Sequence, residues 1–249
     1  MEATSFGVQV LDKLLGGSLV RGKTYLLEAD SGTQPRSITY PFVKNALDTG
    51  ELVIFASNEE PAEDVAVRLQ DYGIAVDAAI KAKQLLLLDL WSENEEEAQG
   101  IIRAGNPADP HKVLFVYSQA YEYAVKNLTR MKSRLILESL SGSVTQFGFE
   151  RAHRMASRVV RMMKQGGVVG LSVLVPKMHA PTVSESFKYL YDGVIQLTVQ
   201  DENDRLQKYI RVVKSPLPGF ITRRIPYEVT NNGFMIPSEK GISTLLNGF

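Results

Sequence analysis

Strand-length apolar runs alternate with amphipathic stretches along the first two thirds of this chain. A parallel sheet flanked by helices satisfies that pattern, and few other folds do. Residues 24–29, 52–57, 84–89, 134–139 and 168–175 read as strands, and 37–49, 61–72, 95–104, 119–131 and 150–165 as helices. Pro61 suits a first helical turn. Beyond residue 190 the pattern changes: 193–199, 206–214, 220–229 and 234–236 read as strands joined by turns. Asp201-Glu202-Asn203-Asp204 and Asn231-Asn232-Gly233 give the hairpin signals for an antiparallel meander. Residues 91–109, acidic and then rich in Gly, Asn and Pro, read as a surface excursion.

Composition narrows the class. A chain of 249 residues with 44% hydrophobic and 22% charged residues has the makings of a sizeable core. Its formal net charge of +0 exerts no global pull on nucleic acid or anionic membrane, so any such surface must be local. The absence of cysteine excludes disulfides, zinc-thiolate sites and thiol catalysis. The start Met1-Glu2-Ala3-Thr4 lacks a basic n-region and apolar run, and the longest apolar stretches, such as 166–175, are too short to span a bilayer. These features lead us to expect a soluble, cytoplasmic protein.

The segment Glu28-Ala29-Asp30-Ser31-Gly32-Thr33-Gln34-Pro35-Arg36-Ser37 follows an apolar strand and precedes a helix, the place of a phosphate loop. Such a loop reads G-x-x-x-x-G-K-[ST]: glycines let N–H groups converge on phosphate, Lys reaches the terminal phosphates, and the hydroxyl holds Mg²⁺. The Lys position falls on Pro35, which carries neither a charge nor an N–H.

Five blocks, in order, resemble the KaiC/RadA branch of RecA-superfamily ATPases. They are the opening Phe6-Gly7-Val8-Gln9-Val10-Leu11-Asp12 with Leu15-Gly16-Gly17, then Ser57-Asn58-Glu59-Glu60-Pro61, then Leu135-Ile136-Leu137-Glu138-Ser139-Leu140-Ser141, then Asp192-Gly193-Val194-Ile195, and Pro226-Tyr227-Glu228-Val229-Thr230. The resemblance implies a RecA-like three-layer α/β domain over 1–249. Its core would be about 20–180, its antiparallel part about 190–237, and 238–249 a short tail. It also assigns roles: Glu59 and Glu60 to polarising the attacking water, Glu138 to the second acidic (Walker B) position, Lys214 to a lysine reaching a neighbouring subunit's nucleotide. Pro216 falls where that pattern has an arginine.

In the ungapped register G-K-T falls on Gln34-Pro35-Arg36, beside the retained Gly32 and Thr33. A shifted register, Pro35-Arg36-Ser37, lets Arg36 stand for Lys and Ser37 for the hydroxyl. The leading expectation is a catalytically silent paralog without a cofactor, acting as a regulatory or scaffold protein in signalling or in modulating a RecA-family partner. The partner would be a protein, either a RecA- or KaiC-family member or a second copy in a homo-oligomer. The alternatives are an atypical ATPase binding ATP and Mg²⁺ through Arg36 and Ser37, and a DNA-binding recombinase-paralog module. On the first expectation Glu59 and Glu60 only begin a helix, favoured there by its dipole.

Residues 150–165 place Arg151, Arg154, Arg158 and Arg161 along one helical face opposite Ala152, Ala156, Val159, Val160 and Met163. Two readings stand: an electropositive stripe for nucleic acid or an acidic protein, or a solvated face whose arginines pair with nearby acids. The stretches 141–148 and 176–189, matching the DNA-binding loops of recombinases, carry few cations and are read as loops. His111, His153 and His179 lack metal-ligand spacing, so no metal site is expected.

Overall fold

The computed structural model describes residues 2–96, 98–127, 132–202, 205–230 and 233–237. The elements, in chain order, are β1 (Ala3–Thr4), α1 (Gln9–Leu14), β2 (Leu19–Val20), β3 (Thr24–Ala29), α2 (Arg36–Asp48), β4 (Leu52–Ser57), α3 (Ala62–Asp71), α4 (Val76–Lys81), β5 (Leu85–Asp89), β6 (Ile101–Arg103) and α5 (Pro110–Asn127). Then come β7 (Ser133–Glu138), α6 (Leu140–Phe147), α7 (Phe149–Gln165), β8 (Val169–Leu174), α8 (Pro181–Leu190), β9 (Gly193–Glu202), β10 (Arg205–Lys214), β11 (Ile225–Thr230) and β12 (Gly233–Met235).

One sheet runs β12-β11-β10-β9-β3-β8-β7-β4-β5-β6, parallel from β9 to β6 and antiparallel from β9 to β12. This is the expected α/β architecture. Its central strands are buried on both faces, which is why they read as continuous apolar runs such as Leu85-Leu86-Leu87-Leu88. Alternate residues serve different layers. Tyr25, Leu27, Val53 and Phe55 pack with residues of α1 to α4 on one face, while Leu26, Ile54, Leu86 and Leu88 pack with α5 to α8 on the other.

The N-terminal end of the sheet is tied by Arg134, fully buried on β7. Its guanidinium donates to Glu51 (2.9 and 3.0 Å), Asn45 (2.9 Å), Thr4 (3.1 Å) and the Phe42 carbonyl (3.3 Å). Burial alone would raise the Glu51 carboxyl, but hydrogen bonds from Arg134 and Arg21 hold it down at about 2.

Several expectations need correction. Residues 95–104 are not a helix: Gly100 adopts φ 77° and the chain enters strand β6. The helix placed at 119–131 starts earlier, at Pro110, and its expected last residues lie outside the described ones. Residues 141–148 are largely helix α6, begun by Ser139, whose hydroxyl accepts the Gly142 N–H. Residues 176–189 include helix α8, with Pro181 in its first turn. The strand expected from 220 begins only at Ile225. The tail 238–249, Asn203-Asp204 and Asn231-Asn232 lie outside the described residues.

Candidate functional site

The carboxyl ends of β3, β4 and β7 bring the candidate residues together. The loop leaving β3 turns first at Asp30, whose carbonyl accepts both the N–H (3.1 Å) and the hydroxyl (2.6 Å) of Thr33. Gly32 and Gln34 adopt φ 86° and 58°, the left-handed region that glycine enters freely and glutamine rarely does. Gln34 therefore holds a backbone geometry that suits glycine. Pro35 follows in helical geometry (φ −58°, ψ −24°), and its carbonyl receives the N–H groups of Ile38 and Thr39, which opens α2. Two distant strands pin the loop: the Tyr227 hydroxyl donates to the Thr33 carbonyl at 2.6 Å, and Lys208 donates to the Gln34 side chain.

Arg36, the first residue of α2, turns its guanidinium toward the acidic side chains. It lies 2.6 Å from Glu60 and 3.4 Å from Glu138. Arg68 of α3 reaches the other Glu60 oxygen, also at 2.6 Å. Glu138, buried at the end of β7, additionally accepts the Thr39 hydroxyl at 2.9 Å. Burial pushes the Glu138 carboxyl up, an effect that Arg36 and Thr39 only partly offset. Burial also opposes the charge of Arg36, but Glu138, Tyr40 and Glu60 outweigh it and leave the guanidinium more firmly protonated than usual. The Ser37 hydroxyl donates back to the Gln34 carbonyl at 2.8 Å.

Glu59 accepts a hydrogen bond from Ser139, and Asn58 clamps the same corner, accepting the Ser139 N–H at 2.6 Å and donating to Ser143 at 2.9 Å. Glu59 and Glu60 are thus held by partners across the site and do more than begin a helix; α3 starts after them, at Ala62. A cleft of about 630 Å³ opens above these groups, lined among others by Pro35, Arg36, Tyr40, Glu59, Ser139 and Val229. The buried Tyr40 hydroxyl has no hydrogen-bond partner among the described residues. A cleft of similar size, about 660 Å³, lies between residues 7–10, α2 and β12, with Tyr72 and the exposed Lys44–Asp48 pair among its lining.

The remaining candidates lie elsewhere. Lys214 ends β10 next to Val194, at the end of the sheet opposite the loop, and donates to the carbonyls of Lys188 and Tyr191. Arg151, Arg154, Arg158 and Arg161 are all exposed on α7, as on a solvated face, and none forms an ion pair with a described carboxylate. Lys208 is a contributor that the sequence did not point to, and Tyr227, part of the last resemblance block, was assigned no role at the loop. Among the described residues, no three His, Asp or Glu side chains form a group that could hold a metal ion, and no helix is long and apolar enough to cross a membrane.

A family model described as "ATPase: KaiC" matches residues 4–241. The chain belongs to that KaiC ATPase family. Among curated relatives of this KaiC-family chain are UPF0273 proteins of Methanopyrus kandleri (23% identical, 96% of this chain and 94% of that protein) and Thermotoga maritima (24%, 94% and 96%). The DNA repair protein RadA of Brucella abortus is 22% identical over 84% of this chain but only 40% of its own length. The crystal structure of a KaiC-like protein from Pyrococcus horikoshii superposes with a TM-score of 0.75 at 20% identity, covering 95% of this chain and 99% of that one, a likeness of fold. Together these place the chain in the RecA/KaiC/RadA-like branch of P-loop ATPase folds.

Proposed function

We propose that this KaiC-family domain is a non-hydrolysing paralog that works as a scaffold or regulatory protein through contacts with other proteins. The observation that carries this reading is the seating of Arg36 between Glu60 and Glu138. In a working site, a lysine and Mg²⁺ balance acidic groups and triphosphate together. Here Pro35 takes the lysine's place in the ungapped register, and the protein's own guanidinium neutralises the carboxylates. The Ser37 hydroxyl is engaged by the Gln34 carbonyl at 2.8 Å. The residues present therefore do not fit Mg·ATP, and no hydrolytic step is assigned to them.

One observation favours a second reading, nucleotide binding through the shifted register. Among the described residues no acceptor is bonded to the N–H groups of Gly32, Gln34 or Arg36, which leaves donors at the start of α2 for an anion. A thermal-shift titration separates the two. A ligand at 100 times its Kd stabilises by roughly 2.7 kcal/mol, which for a chain of this size raises Tm by about 5–10 °C. The scaffold reading expects no rise with Mg·ATP at millimolar concentration. A rise that Arg36→Ala abolishes overturns it in favour of the second.

A further inference from the structure

The cleft above Arg36 combines apolar walls with a buried donor that no described residue satisfies. Pro35, Tyr40, Tyr72, Val173, Val175 and Val229 line it, and the Tyr40 and Tyr72 rings meet edge to face at 5.4 Å. At about 630 Å³ it has the size of a small-molecule site. Its charged groups are already engaged. Among the described residues Arg36 is the cation of the lining, and Glu60 and Glu138 hold it. Glu59 accepts the Ser139 hydroxyl. An anionic ligand would therefore meet two carboxylates and no free cation, and a cationic one would meet the guanidinium.

Tyr40 lies one helical turn after Arg36, on the same face of α2. It is only 5% exposed, yet its hydroxyl has no hydrogen-bond partner among the described residues. Leaving a buried donor unpaired is costly. Burial, and then the charge of Glu138, hold this phenol well above its usual range, so at neutral pH it stays protonated and able to donate. The second cleft, between residues 7–10, α2 and β12, has no unsatisfied buried side chain in its described lining.

We propose that this cleft binds an uncharged, flat, largely apolar molecule, an aromatic or heterocyclic carbonyl compound whose oxygen accepts the Tyr40 hydroxyl. Such a ligand buries its faces against the valines and the tyrosine rings and supplies the missing acceptor at one edge. This ligand class rests on the scaffold reading, in which the site takes no Mg·ATP.

The test titrates the full chain with prodan, an uncharged naphthyl ketone whose emission shifts to the blue in apolar surroundings. Saturable binding with that shift is expected. Tyr40→Phe, which keeps the ring and removes the donor, should weaken it about fivefold. Val229→Trp, which fills the cleft, should abolish it, while Met235→Trp in the second cleft should leave it unchanged. Far-UV circular dichroism confirms that each variant is folded. Anilinonaphthalene sulfonate, an anion of similar size, should not displace prodan at equal concentration. Absence of saturable binding overturns the ligand class alone and leaves the scaffold reading standing. Binding that neither Tyr40→Phe nor Val229→Trp weakens, or that Met235→Trp removes, overturns it as well, and so does displacement by the sulfonate. Displacement of prodan by millimolar Mg·ATP overturns both the ligand class and the scaffold reading.

Discussion

Arg36 lies 2.6 Å from Glu60, joining the first turn of α2 to the segment that follows β4, and a second contact at 3.4 Å extends the pair to Glu138. Removing the guanidinium leaves two largely buried carboxylates with less compensation. Loss of one partner of a fully buried pair costs about 3–5 kcal/mol. Because the Arg36 side chain is 33% exposed, solvent screens part of this. Arg36→Ala should therefore lose about 1–3 kcal/mol by chemical denaturation, with Glu138→Gln in the same chain recovering part of the loss.

Restoring the phosphate loop should restore its ligand. A chain with Gln34→Gly, Pro35→Lys and Arg36→Thr has glycine where Gln34 is held at φ 58°, and a lysine and hydroxyl at the following positions. We expect Mg·ATP to raise the Tm of this variant by several degrees. The same addition to the natural chain should leave its Tm unchanged.

Tyr227 fastens the loop from the antiparallel part of the sheet through its 2.6 Å bond to the Thr33 carbonyl. Tyr227→Phe removes a donor and keeps the packing, so a loss of about 1 kcal/mol is expected. Amide hydrogen exchange should quicken around residues 30–35 before it does so in the central strands.

Acid stability should follow Glu51. Its carboxyl is depressed from 4.5 to about 2, so the stabilisation is present above pH 4.5 and drains away as pH falls toward 2. The linkage amounts to on the order of 3 kcal/mol. Denaturation at stepped pH should show that loss, and Glu51→Gln should flatten the curve in this window while lowering stability at neutral pH by leaving Arg134 buried and unpaired.

The central strands were legible because burial on both faces writes them as unbroken apolar runs; 24–29 and 52–57 were read to the residue. Short helices were not. α4 and α6 have six and eight residues, too few to establish a helical period, and the serines of α6 resemble a loop until Ser139 is recognised as its cap. Residues 95–104 looked helical from their glutamates, yet Ile101 to Arg103 pair with β5 as an edge strand, a tertiary preference that no local pattern shows. The site was half legible. Motif order identified Arg36, Glu60 and Glu138 as neighbours of one pocket, but a contact spanning 102 residues is set by the sheet order. Lys208 gave no signal, and Tyr227, though part of the last resemblance block, gave none of its reach to the loop, since both come from strands that read only as a meander.

Calorimetric titration of the natural chain with Mg·ATP tests the central claim most directly. With Arg36 held by Glu60 and Glu138, and Pro35 in place of lysine, we predict no saturable heat at millimolar nucleotide. Saturable binding by the natural chain that disappears in Arg36→Ala would contradict this account and make Arg36 a nucleotide ligand.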